Sequence, residues 1–135
     1  MEVTKCKKYM IDTEFATQIM LYPECWYLQR IKDGGYSAYI SAMTYAQLVC
    51  TFGLIVKYRM AVHNIGILDF CANAAEILGQ FQSKYLDEKK KSAYIRAADL
   101  TIMAHAKAEN LILVSKDPWG LKKSYGVQIE DWTME

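Results

Sequence analysis

Little in this chain breaks secondary structure, and little cross-links it. Its 135 residues include only 2 prolines and 7 glycines, too few for a collagen-like, linker-dominated or disordered polypeptide. The 4 cysteines, Cys6, Cys25, Cys50 and Cys71, form no Cys-x-x-Cys pair, and neither of the 2 histidines stands at finger-like spacing from them. That argues against a zinc finger and against a disulfide framework, so a reducing, cytoplasmic compartment is expected. Charge of one sign is lacking as well. Sixteen Lys and Arg against fifteen Asp and Glu leave a formal net charge of +1, so a polyanion must be held by a local patch rather than by an overall field. No apolar run reaches the ~18 residues of a membrane span. The basic stretch over residues 1–8 has no apolar segment behind it of the kind a secretory leader needs. What is present is material for a core. Hydrophobic residues make up 53% of the sequence, enough for one domain over residues 1–135, and the chain is too short for two.

Short apolar runs alternate with helical patterns. Residues 9–11, 39–40, 65–70, 111–114 and 127–129 read as five strands. Ala74, Ile77, Leu78, Phe81 and Tyr85 make a helical stripe, which ends in the solvated charge run over residues 87–91. Ile95, Ala98, Ile102 and Ala106 make another, with Ser92 as its candidate N-cap and an end near Asn110. Residues 43–58 form a third candidate helix, weakened by Gly53. Residues 15–31 read as two short helices broken around Pro23 and stopped before Gly34-Gly35. The alternation predicts the α/β class, with a mostly parallel central sheet of about five strands and helices on both faces. In such a sheet, ligands bind at the carboxyl ends of the strands.

Two aspartates fall at such ends: Asp12 after the first strand, and Asp117 after the fourth, held extended by Pro118. Asp99 stands on a helix among Ile95, Ile102, Met103 and Ala106. A carboxylate in an apolar stripe needs a partner or a metal. Each has a plainer reading: Asp12 as a helix N-terminal residue, Asp117 as a turn residue, Asp99 as half of an ion pair. If the three converge, their repulsion is large, ~4 kcal/mol for two charges at 4 Å and an effective dielectric of 20. A hard divalent cation, Mg²⁺ or Mn²⁺, removes it.

The chain resembles the PIN-domain ribonucleases in five ordered segments. Ile11-Asp12-Thr13 is similar to their "LDT" opening, and residues 40–48 with Thr44, Gln47 and Leu48 to "ISxxTxxEL". Asp99, Ile102, Ala104 and Ala106 resemble "DxxIAxxA", residues 113–117 "LVTxD", and residues 129–132 the terminal "IEDW". Among these enzymes the VapC-type toxins of bacterial toxin–antitoxin pairs fit best. The resemblance implies a PIN-like fold and a magnesium- or manganese-dependent endoribonuclease acting on RNA. It also implies a homodimer silenced by a cognate antitoxin. The family's acidic quartet falls on Asp12, Asp99, Asp117 and the position of Gln47.

Gln47 stands where the family has Glu, and Glu14 where it usually has Asn. A glutamine keeps the shape of glutamate but is a weaker ligand and no base. Three explanations stay open: an introduced inactivation, a naturally weakened relative, or a fourth carboxylate restored by Glu14. An inactive PIN-fold module that binds an antitoxin or RNA is the alternative function. Gln47 also has a plainer reading, a capping box with Thr44. Lys84, Lys89, Lys90, Lys91, Arg96, Lys116, Lys122 and Lys123 are candidates for an RNA path. The aromatics Trp26, Tyr27, Tyr36 and Tyr39 are candidates for core packing or base stacking. His63 and His105 have no evident partner. A phosphatase of the haloacid-dehalogenase type expects Asp where Glu14 stands, with a threonine motif and a lysine that have no counterpart here.

Overall fold

The five apolar runs pair into one sheet in the order β3-β2-β1-β4-β5, every neighbour parallel. The structure, a computed structural model, describes residues 7–22, 24, 26–88 and 95–133, without the side chains at 26, 27 and 88. The strands are β1 (Lys8–Ile11), β2 (Ser37–Ser41), β3 (Ile65–Leu68), β4 (Ile112–Val114) and β5 (Ile129–Glu130). Between them run α1 (Thr13–Leu21), α2 (Trp26–Asp33), α3 (Ala42–Phe52), α4 (Ile55–Val62), α5 (Ala72–Glu88) and α6 (Ala97–Ala108). The third strand is shorter than its apolar run, and the last starts two residues later and ends one residue later than read. Among the described residues no helix is long and apolar enough to cross a membrane.

Alternation along β1 explains the two layers of helices. Tyr9 and Ile11 face a core built with α1 to α4, and Met10 faces a second built with α5 and α6. All three are at most 1% exposed, because the central strand is covered on both faces. Gly66 on β3 lets the Tyr39 ring of β2 lie across it; a Cβ there would sit 2.7 Å from that ring.

The single helix expected over residues 43–58 is two helices. Gly53 adopts φ 83 and ψ −168 and caps α3 through Val49, a conformation open essentially only to glycine. The helix bearing Asp99 starts at Ala97 with Arg96 as its N-cap. Ser92 lies outside the described residues, as do Pro23, Cys6, Cys25 and Lys89, Lys90 and Lys91. The C-terminal segment is pinned at Trp132, 2% exposed. Its Nε1 donates to Glu130 Oε1 at 3.1 Å, and Tyr9 donates to Glu130 Oε2 at 3.0 Å. Arg30 stacks 5.0 Å above the Trp132 ring. Burial, and then the bond to Glu130, push the Tyr9 phenol well above its usual pKa.

The chain builds β1, β2 and β3 outward in one direction, then returns past β1 to place β4 and β5 on the other side. The carboxyl ends of β1 and β4 therefore flank the point where the order reverses, the crevice where open parallel sheets bind ligands.

Candidate functional site

Asp12 leaves β1 at this crevice and serves as the N-cap of α1. Its Oδ1 accepts from Phe15 N at 2.9 Å, satisfying an amide that no helical carbonyl can reach. The plainer reading of Asp12 thus holds, but it does not exhaust the residue. Asp12 is 6% exposed, and burial pushes its pKa up to about 6. The Phe15 amide, the Ser115 hydroxyl and the Lys122 ammonium pull the other way without offsetting burial, and Glu14 adds to the rise. Asp12 is a carboxylate short of positive charge. Its link to a cation runs through Ser115 after β4: Lys122 Nζ donates to Ser115 Oγ at 2.6 Å, and Ser115 bonds Asp12.

Asp117 follows Ser115 and Lys116. Gly120 N donates to Asp117 O at 3.2 Å, closing a four-residue turn. Asp at its first position, Pro118 at its second and Gly120 at its fourth are the residues a type I turn favours. The Asp117 carboxylate accepts the amides of Lys122 and Lys123 at 2.9 and 3.0 Å, so it ties down the loop as well as facing the crevice.

Asp99 was expected in the middle of an apolar stripe. It lies in the first turn of α6 with 21% of its side chain exposed. Arg96 grips it twice, Nε to Oδ2 at 3.2 Å and Nη2 to Oδ1 at 3.4 Å. The helix starts too late to bury it, and the N-terminal end of the helix favours a carboxylate. Glu14 pairs with Lys116 at 3.0 Å, both about half exposed.

The capping box read at Thr44 and Gln47 is absent, because α3 is capped three residues earlier, by Ser41. Ser41 Oγ accepts from Met43 N at 3.1 Å and meets His105 Nδ1 at 2.8 Å. His105, read from sequence as unpartnered, is fully buried. Burial lowers its pKa, against Glu109 and the Asp69 backbone, so its neutral ring clamps α3 to α6. Thr44 is buried and shares a hydrogen bond with Thr13 at 3.0 Å, fastening α3 beside Asp12. Gln47 is exposed, three residues on from Thr44, and so lies on the same side of α3.

A groove of about 210 Å³ separates the start of α6 from the loop after β4. Arg96, Asp99, Lys116, Asp117, Trp119 and Lys122 stand among its walls. It brings Asp99 and Asp117 together, while Asp12 connects to it only through Ser115 and Lys122; Glu14 and Gln47 do not line it. Among the described residues, no three His, Cys, Asp or Glu side chains form a ready cage for one ion. The donor chemistry nevertheless fits Mg²⁺ or Mn²⁺. Asp12, Asp99 and Asp117 offer hard oxygens, and a cation would relieve the desolvated charge of Asp12. Each Asp117 oxygen keeps a lone pair after accepting its amide, and Arg96, 64% exposed, has room to swing off Asp99. Of the candidate RNA path, Lys84 is engaged with the Ser124 carbonyl at 2.6 Å. Sequence reasoning did not single out Trp119, nor the coupling of Lys122 to Asp12 through Ser115. The Asp-Pro-x-Gly spacing around Trp119 was the available signal.

No family model and no curated protein match the chain. Solved structures do. The chain is similar to DNA-bound VapBC from Salmonella typhimurium, with 22% identity, a TM-score of 0.73, and 93% of this chain and 98% of that one covered. It is also similar to VapBC2 from Rickettsia felis bound to a promoter DNA fragment, at 22% identity, a TM-score of 0.72, and 91% and 97% coverage. VapBC-5 from Mycobacterium tuberculosis, described as a member of the VapBC family of toxin–antitoxin systems, matches at 13% identity and a TM-score of 0.54, with 91% and 95% coverage. Five ordered motifs and a near-complete structural overlap agree on one architecture: the chain has the PIN-like fold of the VapC-type toxins.

Proposed function

We propose that this protein is the toxin of a toxin–antitoxin pair and a divalent-metal-dependent endoribonuclease. The observation that supports the reading is that Asp99 and Asp117 line one groove, with Asp12 at the adjacent strand end and linked through Ser115 to Lys122 of that groove. Asp12, Asp99 and Asp117 would hold Mg²⁺ or Mn²⁺, with Gln47 or Glu14 at the edge of the shell. Bound there, the ion would neutralise the carboxylates and stabilise charge developing on a phosphodiester. The chain's own residues do the rest. The α1 N-cap fixes the direction of Asp12, the Asp117 turn fixes the groove wall, and Lys116, Lys122 and Arg96 offer cations to RNA phosphates once the carboxylates are neutralised.

The antitoxin is inferred from the VapBC complexes. A homodimer is favoured by an exposed apolar stripe on α4 and the residue before it, where Leu54, Ile55, Tyr58 and Val62 are 53 to 78% exposed. Arg59 reaches the Met20 carbonyl, which sets the stripe beside the exposed Leu21 and Tyr22. Contiguous patches of this kind mark interfaces. Free Cys50, which is exposed, suits the cytoplasm.

A second reading, a binding module that does not cut, is favoured by Gln47 and by the cations already seated on Asp99 and Glu14. One experiment separates the two: incubation of the chain with RNA in Mn²⁺, in Mg²⁺ and in EDTA. The enzyme reading expects divalent-dependent cleavage, lost in Asp12→Asn and raised in Gln47→Glu. No cleavage by either the wild-type chain or Gln47→Glu, with no ion uptake by titration calorimetry, decides for the binding module.

A further inference from the structure

We propose that Trp119 is a stacking platform that selects an unpaired base of single-stranded RNA beside the acidic crevice. The inference rests on the nuclease reading and adds a positioning residue and a substrate form to it. Trp119 is 83% exposed, the most exposed large hydrophobic side chain among the described residues. Tryptophan is highly buried on average. No packing demand of this fold places it outside, and its exposure is held in place rather than incidental. It occupies the third position of the Asp117–Gly120 turn. Pro118 restricts the backbone before it, Gly120 follows at φ 69, and the Asp117 carboxylate anchors the loop beyond through two amides. The ring is therefore presented by a rigid mount whose first residue is one of the three acids.

The groove next to it has the chemistry of a nucleotide. Ile95, Pro118 and Leu121 give apolar surface for a flat ring, and Arg96, Lys116 and Lys122 stand at its edge for phosphate. At about 210 Å³ it admits one planar ring system and not a helix. A base stacked on Trp119 must be out of a duplex, since both faces of a paired base are already covered by its neighbours. Stacking is tolerant of base identity, so the platform selects single-stranded form rather than sequence, and it positions the adjacent phosphodiester at Asp99 and Asp117.

The test is equilibrium binding in EDTA, where no cutting occurs. Fluorescence anisotropy would follow an unstructured mixed-sequence RNA of twelve nucleotides and the same strand annealed to its complement. Wild-type protein is expected to prefer the single strand. Trp119→Ala should weaken that binding about 5- to 100-fold, and Trp119→Phe less. The slope of affinity against salt should stay unchanged in Trp119→Ala and fall in Lys122→Ala. Thermal melts will register any folding defect, which an exposed turn residue should not cause. Wild-type affinity in Trp119→Ala would overturn the inference while leaving the nuclease reading intact. A wild-type chain that binds no RNA in EDTA would also overturn the inference, while cleavage in Mn²⁺ tests the nuclease reading separately.

Discussion

Asp12→Asn should make this protein more stable at neutral pH while abolishing cleavage. Asparagine retains the volume and the oxygen that accepts the Phe15 amide, and it is an equally good N-cap. Only the charge goes. The folded carboxyl titrates at about 6 against 3.8 when unfolded, and two units correspond to about 3 kcal/mol. The native state holds the proton more tightly, so this contribution to stability is complete below about 3.8 and is lost as pH rises through about 6. At pH 7.5 the wild-type chain carries the whole penalty. The asparagine variant carries none but gives up the attraction of Lys122, so a net gain of about 1–3 kcal/mol is expected. At pH 4.5 the remaining penalty is about 1 kcal/mol, and the gain should shrink to near zero.

The assay is urea unfolding of both chains in metal-free buffer at the two pH values. The wild-type curve alone would mislead. Buried His105 acts in the opposite sense, because a lowered histidine pKa gives stability that is present above the unfolded value of 6.5 and lost as pH falls. Both chains carry His105, so the difference between them isolates Asp12. Added Mn²⁺ should stabilise the wild type by about 2.7 kcal/mol at a hundred times its dissociation constant, and the variant by much less. A variant less stable than wild type at pH 7.5, or a difference that ignores pH, would refute the account of Asp12 as a desolvated charge.

Three further outcomes follow from the packing. Tyr58→Glu should turn dimers into monomers in light scattering behind a sizing column with no change in circular dichroism; a wild-type chain monomeric at high concentration would remove the α4 interface. Gly53→Ala should cost about 1–3 kcal/mol in chemical denaturation, because the φ and ψ there are essentially closed to any Cβ. Trp132→Ala should cost about 3–5 kcal/mol, since it empties the space between Tyr9 and Arg30; Glu130→Gln should cost less, keeping an acceptor for Tyr9 and Trp132.

The sheet was legible because its signal is local. Buried parallel strands need short apolar runs, and each of the five runs became a strand within one or two residues. The positions of Asp12 and Asp117 followed, since a residue at a strand end goes where the strand goes. What failed to read depended on starts and partners. Thr44 looked like a cap because Ser41, three residues earlier, could not be ranked against it without knowing where β2 stops. Asp99 looked buried because its stripe runs on to Ile95, whereas the helix begins only at Ala97. His105 looked idle because its partner Ser41 is sixty-four residues away, a separation that no periodicity reports.

Those distant partners also bear on how an acidic crevice folds without an ion. Marginal stability of about 5–15 kcal/mol cannot absorb several unpaired carboxylates at once. Three of the acids are held by other groups: Arg96 on Asp99, Lys116 on Glu14, two loop amides on Asp117. Asp12 is left with a mediated cation, through Ser115, and burial drives its pKa up to about 6. The fold thus confines its electrostatic strain to one carboxylate at the reversal of strand order. Gln47 is neutral and exposed on the side of α3 that carries Thr44, so it adds no charge to the crevice. Restoring Glu at that exposed position should leave stability in EDTA nearly unchanged and raise it in Mn²⁺; no gain in Mn²⁺ over the wild-type chain would detach position 47 from the site.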